Sequence, residues 1–200
     1  GNTVIDALLG VRDRIDRGNC SAATSDFICQ FARPYILVTG HRRESFGGGF
    51  ESICRAIRSL ATSHPELDVV YPVHLNPNVQ EPVNRILGDV ENVRLIDPLN
   101  YEPFVALMCR SRFILTDSGG VQEEAPSLGK PVLVMRDKTE RQEGLEGGVR
   151  LVGTSEERIL EESERLLTDE AHYRQMAEAM NPYGDGTASK QIAEILAEQL

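Results

Sequence analysis

The chain has 200 residues, 40% of them hydrophobic, with a formal charge of −10 and a pI near 4.9. That length supports one sizeable core, and the negative charge argues against a duplex nucleic-acid partner, whose phosphates call for clustered Lys and Arg. No apolar run reaches the roughly 20 residues that cross a bilayer, and "GNTVIDALLG" lacks the basic and apolar regions of a leader, so the expectation is a soluble, cytoplasmic protein with no membrane partner.

The first element, "TVIDALLGVRDRI" (Thr3 to Ile15), has an amphipathic helical pattern but precedes the first strand, and the polar stretch "DRGNCSAATSD" after it reads as turn and loop. Residues 1–17 are therefore expected to be a junction helix entering from elsewhere in a larger protein. Six short runs rich in Val, Ile and Leu follow: Tyr35 to Thr39, Asp68 to Val73, Val93 to Asp97, Arg112 to Thr116, Pro131 to Met135 and Val149 to Gly153. They are apolar on both faces and alternate with amphipathic helical segments, so the expected fold is α/β, a doubly wound, mostly parallel six-stranded sheet of Rossmann-like type. The clearest helix, "GFESICRAIRSLATSH", sets Phe50, Ile53, Cys54, Ile57 and Leu60 on one face, with Ser45 as a candidate N-cap. After Gly153 the pattern is helical: Thr154 and Glu157 have capping-box spacing, and two more helices flank "NPYGDGTAS".

Cys20, Cys29, Cys54 and Cys109 show no C-x-x-C spacing, and His41, His64, His74 and His172 form no ligand cluster, so a structural metal is not expected. Cys54 and Cys109 read as core thiols.

In an open α/β sheet, ligands bind at the carboxyl ends of the strands, near the reversal of strand order. Polar loops follow the first five strands: "GHRRESFGGGFE", "HLNPN", "PLNYEPF", "DSGG" and "RDKTERQEG". Neither G-x-G-x-x-G nor a P-loop is among them, which weakens NAD and P-loop readings. The first combines an imidazole, two guanidiniums and a run of three glycines; it is either a solvated glycine loop or a site that handles protons and phosphate. The segment "TDSGGVQEEAP" offers a hydroxyl, two glycines and a helix start, which suit an anion. Taken alone it is also compatible with a tight turn and cap. If phosphate lies at Ser118 to Gly120, a carboxylate at Glu124 would be repelled by it and is better matched to ribose hydroxyls, which together imply a nucleotide.

With these loops in order, the sequence resembles the non-hydrolysing bacterial UDP-N-acetylglucosamine 2-epimerases. The resemblance rests on "GNTVIDALL", "TGHRRESFG", "PVHLNPNV", "LIDPLNYEPF", "TDSGGVQEEAPSLGKPVLVMRDKTER" and "NPYGDGTAS". It implies the two-domain GT-B arrangement, of which residues 1–200 would be the C-terminal, UDP-binding half. It also implies that Ser118, Gly119 and Gly120 hold the UDP phosphates, Glu124 the ribose, and Leu99 to Phe104 the uracil, with Phe104 beside the base. Arg141 would approach the diphosphate, His41 would be catalytic beside it, and Arg42 would contact UDP. Arg42 and His74 match positions that hold a second, activating UDP-GlcNAc in relatives; for His74 a strand-end structural histidine is the alternative. Two departures stand out: Leu99 where a polar residue is usual, and "QEGLEGG" after Arg141 in place of a proline-containing segment.

The reaction so implied interconverts UDP-GlcNAc and UDP-ManNAc by elimination and re-addition of UDP through a 2-acetamidoglucal, with no cofactor. Most acid–base carboxylates would lie in the N-terminal half, leaving this chain alone inactive. Residues 1–17 and 181–200 would present apolar faces to that half, or to a second copy in a homodimer. The alternatives are a UDP-sugar glycosyltransferase or hydrolysing epimerase half, and a non-catalytic nucleotide-sugar-binding module.

Overall fold

The computed structural model describes residues 1–199, without the side chains of Ser45 and Glu146. Helices α1 (Thr3–Asp16) and α2 (Ala22–Ile28) precede β1 (Tyr35–Thr39), α3 (Gly48–Ser63), β2 (Asp68–Pro72), α4 (Pro77–Leu87), β3 (Val93–Ile96) and α5 (Tyr101–Arg110). Then come β4 (Ile114–Thr116), α6 (Gly119–Glu124), β5 (Val132–Val134), β6 (Val149–Leu151), α7 (Glu156–Thr168), α8 (Glu170–Ala177) and α9 (Ala188–Glu198). All five strand pairings are parallel, in the order β3-β2-β1-β4-β5-β6. The sheet is thus wholly parallel. Five of the six strands are shorter than the apolar runs that encode them; Pro131, without an N–H, contributes only its carbonyl, to the Ile114 amide.

Successive strand side chains point to opposite faces, so each run feeds two cores. Ile36, Val38, Val69, Tyr71, Leu115 and Leu133 pack with α3, α4, α7 and α8, while Tyr35, Leu37, Val70, Ile114, Val132 and Val134 pack with α1, α2, α5 and α6. The five apolar positions expected on α3 are all buried. Cys54 is among them, and burial pushes its thiol up to about 12, so it behaves as a small hydrophobe. Cys109 is half-buried on α5.

Three local expectations are corrected. Ala22–Ile28, read as loop, is a helix: the Ser21 hydroxyl accepts the Thr24 amide at 3.2 Å, and Glu102 of α5 accepts from the Thr24 hydroxyl at 2.9 Å. Seven residues are too few for a stable isolated helix, so contact with α5 decides the matter. Helix α1 buries Ile5 and Leu8 fully and packs on α5 and α6 of this domain. The α3 N-cap is Gly47 and not Ser45; its φ of +85° is a conformation that glycine adopts without strain. The Thr154–Glu157 capping box is not formed: Ser155 is the N-cap of α7, and the Glu156 amide is taken by the Ser52 hydroxyl of α3 at 3.2 Å.

The terminal segment behaves differently from α1. On α9 and the turn before it, Met180, Ile192, Ile195 and Leu196 are all about half exposed or more. Leu200 lies outside the described residues. Among those described, no helix is long and apolar enough to cross a membrane.

Under the end of β1, the Tyr71 hydroxyl is fully buried and donates to the Gly40 carbonyl at 2.9 Å. A Cβ at residue 40 would come within 3.1 Å of that oxygen. Tyr71→Phe leaves the carbonyl without this donor, and the expected loss is about 1–3 kcal/mol of unfolding free energy, read from urea titration of the purified chain. A loss below a few tenths would show that the β1 loop does not depend on this bond.

Candidate functional site

Strand order reverses between β1 and β4. The chain leaving β1 turns to the α3 side and the chain leaving β4 to the α6 side, which opens a crevice between them. The two strand ends are joined by their last hydroxyls, Thr39 and Thr116, 2.6 Å apart. Thr116 Oγ1 also accepts the Ser118 amide at 3.0 Å, bending the chain into the turn that starts α6. Ser118 is the N-cap, and its hydroxyl accepts the Val121 amide at 3.5 Å.

A cleft of about 250 Å³ occupies the crevice, lined by Thr39, Gly40, His41, Pro72, His74, Pro98, Leu99, Phe104, Ser118 and Val121. Five of the expected site residues, His41, His74, Leu99, Phe104 and Ser118, thus come from four loops to one wall system. Both imidazoles are partly exposed and stack on each other, with centroids 5.2 Å apart and planes 11° from parallel. Leu99 and Phe104 are partly buried against the α5-side core, so the Leu99 side chain supplies apolar wall.

Arg141 lies at the rim of the Ser118–Gly120 turn. A Cβ at Gly119 would sit 2.8 Å from its Cζ, so glycine is what lets the guanidinium approach the start of α6. The approach is built from buried links: the Thr139 hydroxyl donates to Gln122 Oε1 at 2.7 Å and accepts the Arg141 amide at 3.1 Å. Glu123 then takes Arg141 Nε at 2.9 Å. Glu140 bridges Arg141, Arg136 (3.0 Å) and Arg42 (3.6 Å), and Arg136 reaches Glu44 in the β1 loop at 2.6 Å. The loops after β1 and β5 are therefore tied by charge across the β4 turn. Carboxylates flanking guanidiniums limit like-charge repulsion among three arginines in one corner.

Glu124 is buried, 6% exposed, and Tyr101 donates its hydroxyl to it at 2.6 Å. Burial holds its carboxyl above the usual carboxylate range, partly countered by the Tyr101 hydrogen bond. A buried carboxylate one turn beyond the Ser118–Gly120 turn can accept hydrogen bonds from a polyhydroxyl ligand. Asp117, Gln122, Thr139, Arg136 and Tyr101 were not singled out from the sequence. Asp117 stands inside the quoted "TDSGG", but its acceptor role toward the His41 and Arg42 amides (2.7 and 2.8 Å) requires the β1–β4 pairing to be known.

The fold and site define a doubly wound domain with a Ser-Gly-Gly turn opening a helix at its switch point. The sequence model of the family described as UDP-N-acetylglucosamine 2-epimerase matches residues 1–197. The Escherichia coli K12 UDP-N-acetylglucosamine 2-epimerase is 61% identical over 200 residues, covering 98% of this chain and 53% of that protein. Among solved structures, UDP-GlcNAc 2-epimerase from Neisseria meningitidis bound to UDP-GlcNAc superposes with a TM-score of 0.90 at 45% identity, covering 99% of this chain and 54% of that one. The S. aureus MnaA–UDP co-structure gives 0.87 at 44%, covering 98% and 52%. The chain belongs to the UDP-N-acetylglucosamine 2-epimerase family. It spans about half the length of the curated relatives it matches, and its sheet is one half of their GT-B fold.

Because Glu124 is held above its unfolded pKa, its charge costs stability at neutral pH, and that cost disappears as pH falls through the carboxylate range. Glu124→Gln is therefore expected to stabilise the chain at neutral pH, with the advantage over wild type shrinking on acidification. Denaturant midpoints across pH check this; an advantage that grows on acidification would contradict it.

Proposed function

We propose that this chain is the UDP-binding half of an enzyme that interconverts UDP-GlcNAc and UDP-ManNAc. The observation that carries the reading is the Ser118–Gly120 turn at the switch point, with Arg141 against Gly119 and His41 on the facing loop. In this reading the diphosphate lies over the turn, where amides at the start of α6, the Ser118 hydroxyl and Arg141 meet its charge. Glu124 accepts from the ribose, Phe104 and the Leu99 segment border the base, and Arg42 reaches the phosphates from the β1 loop. His41 stabilises the departing diphosphate or handles its proton. Arg42 and His74 face a second UDP-GlcNAc.

UDP leaves by elimination to a 2-acetamidoglucal and adds back after protonation on the other face of carbon 2. The acid–base carboxylates come from the other half of the protein, and closure of the two halves excludes water from the reaction. Residues 181–200, with the exposed Ile192, Ile195 and Leu196, meet that half or a second copy. Two cores fed by one parallel sheet let the 200-residue unit fold by itself.

Calorimetric titration of this chain with UDP and with inorganic diphosphate tests the assignment. Arg141→Gln is expected to weaken both ligands alike, whereas removing the Glu124 carboxylate weakens UDP selectively, by about 10-fold or more, as loss of a hydrogen bond to a charged group implies. Equal losses of both ligands on changing Glu124 would refute the ribose contact. UDP and UDP-GlcNAc are expected to bind this chain with similar affinity, and proton NMR of the chain with UDP-GlcNAc is expected to show no UDP-ManNAc. Sustained turnover would mean that this half carries its own acid and base.

A further inference from the structure

Asp117 is fully buried at the end of β4, between the two loops that border the cleft. One of its oxygens, Oδ2, accepts both the His41 and the Arg42 amides, at 2.7 and 2.8 Å. The other, Oδ1, is buried without a hydrogen-bond donor and lies 3.6 Å from His41 Nδ1. A carboxylate oxygen shut off from water and from every donor is costly, and the imidazole is the polar group set beside it. The His41 ring is stacked on His74, with planes 11° from parallel. A small in-plane turn brings Nδ1 into hydrogen-bond range of Oδ1.

We propose that Asp117 is a positioning residue that accepts the His41 Nδ1 proton and thereby fixes the tautomer in which Nε2 is the working nitrogen. The assignment deepens the proposed role of His41 and rests on it for its catalytic consequence, but the hydrogen bond itself belongs to the chain as it stands. A carboxylate at Nδ1 orients an imidazole and leaves the Nε2 lone pair able to take up a proton from solvent; the negative charge beside Nδ1 favours the imidazolium so formed, which then gives that proton from Nε2 to a departing phosphate oxygen. One buried side chain thus fixes the β1 loop through two amides and sets the polarity of the ring that loop carries.

The two functions can be separated. Because Oδ2 alone takes both amides, Asp117→Asn can keep them on its single carbonyl oxygen while presenting an N–H to Nδ1. The loop is retained and the preferred tautomer is reversed. Long-range proton–nitrogen NMR of imidazole-labelled chain, in alkaline buffer and with the His41 signals assigned by their loss in His41→Asn, is expected to show the Nδ1–H form in wild type. It should show the Nε2–H form in Asp117→Asn. A predominant Nε2–H form in wild type overturns the proposal without recourse to any variant, and so does an unchanged tautomer in a folded Asp117→Asn.

UDP titration of the same samples keeps the two readings distinguishable. An Nδ1–H ring in a chain that does not bind UDP sinks the nucleotide reading and upholds the hydrogen bond, whereas a chain that binds UDP with the wrong tautomer does the reverse. In a protein carrying both halves, Asp117→Asn is expected to lower kcat about 10²-fold or more with KM changed only a few-fold, because the Asn N–H takes up the Nδ1 lone pair and removes the charge that favours the imidazolium. Equal changes in kcat and KM would mark a merely structural aspartate.

Discussion

β1 and β4 are parallel neighbours whose following segments must leave the sheet on opposite sides, and everything at the candidate site depends on the gap that this creates. Parallel strands need a crossover helix, and right-handed crossovers send the chain from β1 to α3 and from β4 to α6. At the carboxyl ends a cleft lies between the two exits. The Thr39–Thr116 contact closes the floor of the gap, and Tyr71 holds Gly40 beside it. The walls are then whatever the loops carry, which here is two imidazoles, a serine turn and apolar surface.

The charge distribution shows how a protein with a net charge of −10 still gathers guanidiniums in one corner. At ordinary salt, charges beyond about 8–10 Å are largely screened, so the local arrangement outweighs the total. Arg42, Arg136 and Arg141 converge on Glu140, and the 139–141 segment is pinned to α6 through the buried Thr139–Gln122 bond. These links hold Arg141 at a turn whose glycine leaves room for it. The acidic surface elsewhere does not reach this corner electrostatically.

The two ends of the chain contrast in the same physical terms. Helix α1 buries Ile5 and Leu8 on its own domain, with Asn2 donating to Glu123 at 2.9 Å and Asp6 accepting the Ser189 amide at 2.7 Å. Helix α9 buries Ala188 but leaves its isoleucines and Leu196 half exposed, so its packing is incomplete within these residues. The first helix is therefore part of the domain, and the last is only anchored to it.

Fold class was written in the sequence because six runs of β-branched and aliphatic residues, each too short for a helix and too apolar for a one-sided strand, leave a covered parallel sheet as the economical solution. The glycine–serine turn and the polar loops were equally legible, since local chemistry after a strand is enough to mark them. Strand order was not legible, and with it went every contact that depends on two distant segments meeting. Asp117 serving the amides of His41 and Arg42, Tyr101 holding Glu124, Gln122 fixing Thr139 and Ser52 replacing the Thr154 cap are all of this kind. Helix α2 failed for the same reason, because seven residues take their helicity from the surface of α5 and not from their own propensity. Sequence alone determined which groups reach the carboxyl edge of the sheet; the tertiary structure decided which of them touch, because hydrogen bonds between loops depend on strand neighbours that no local pattern encodes.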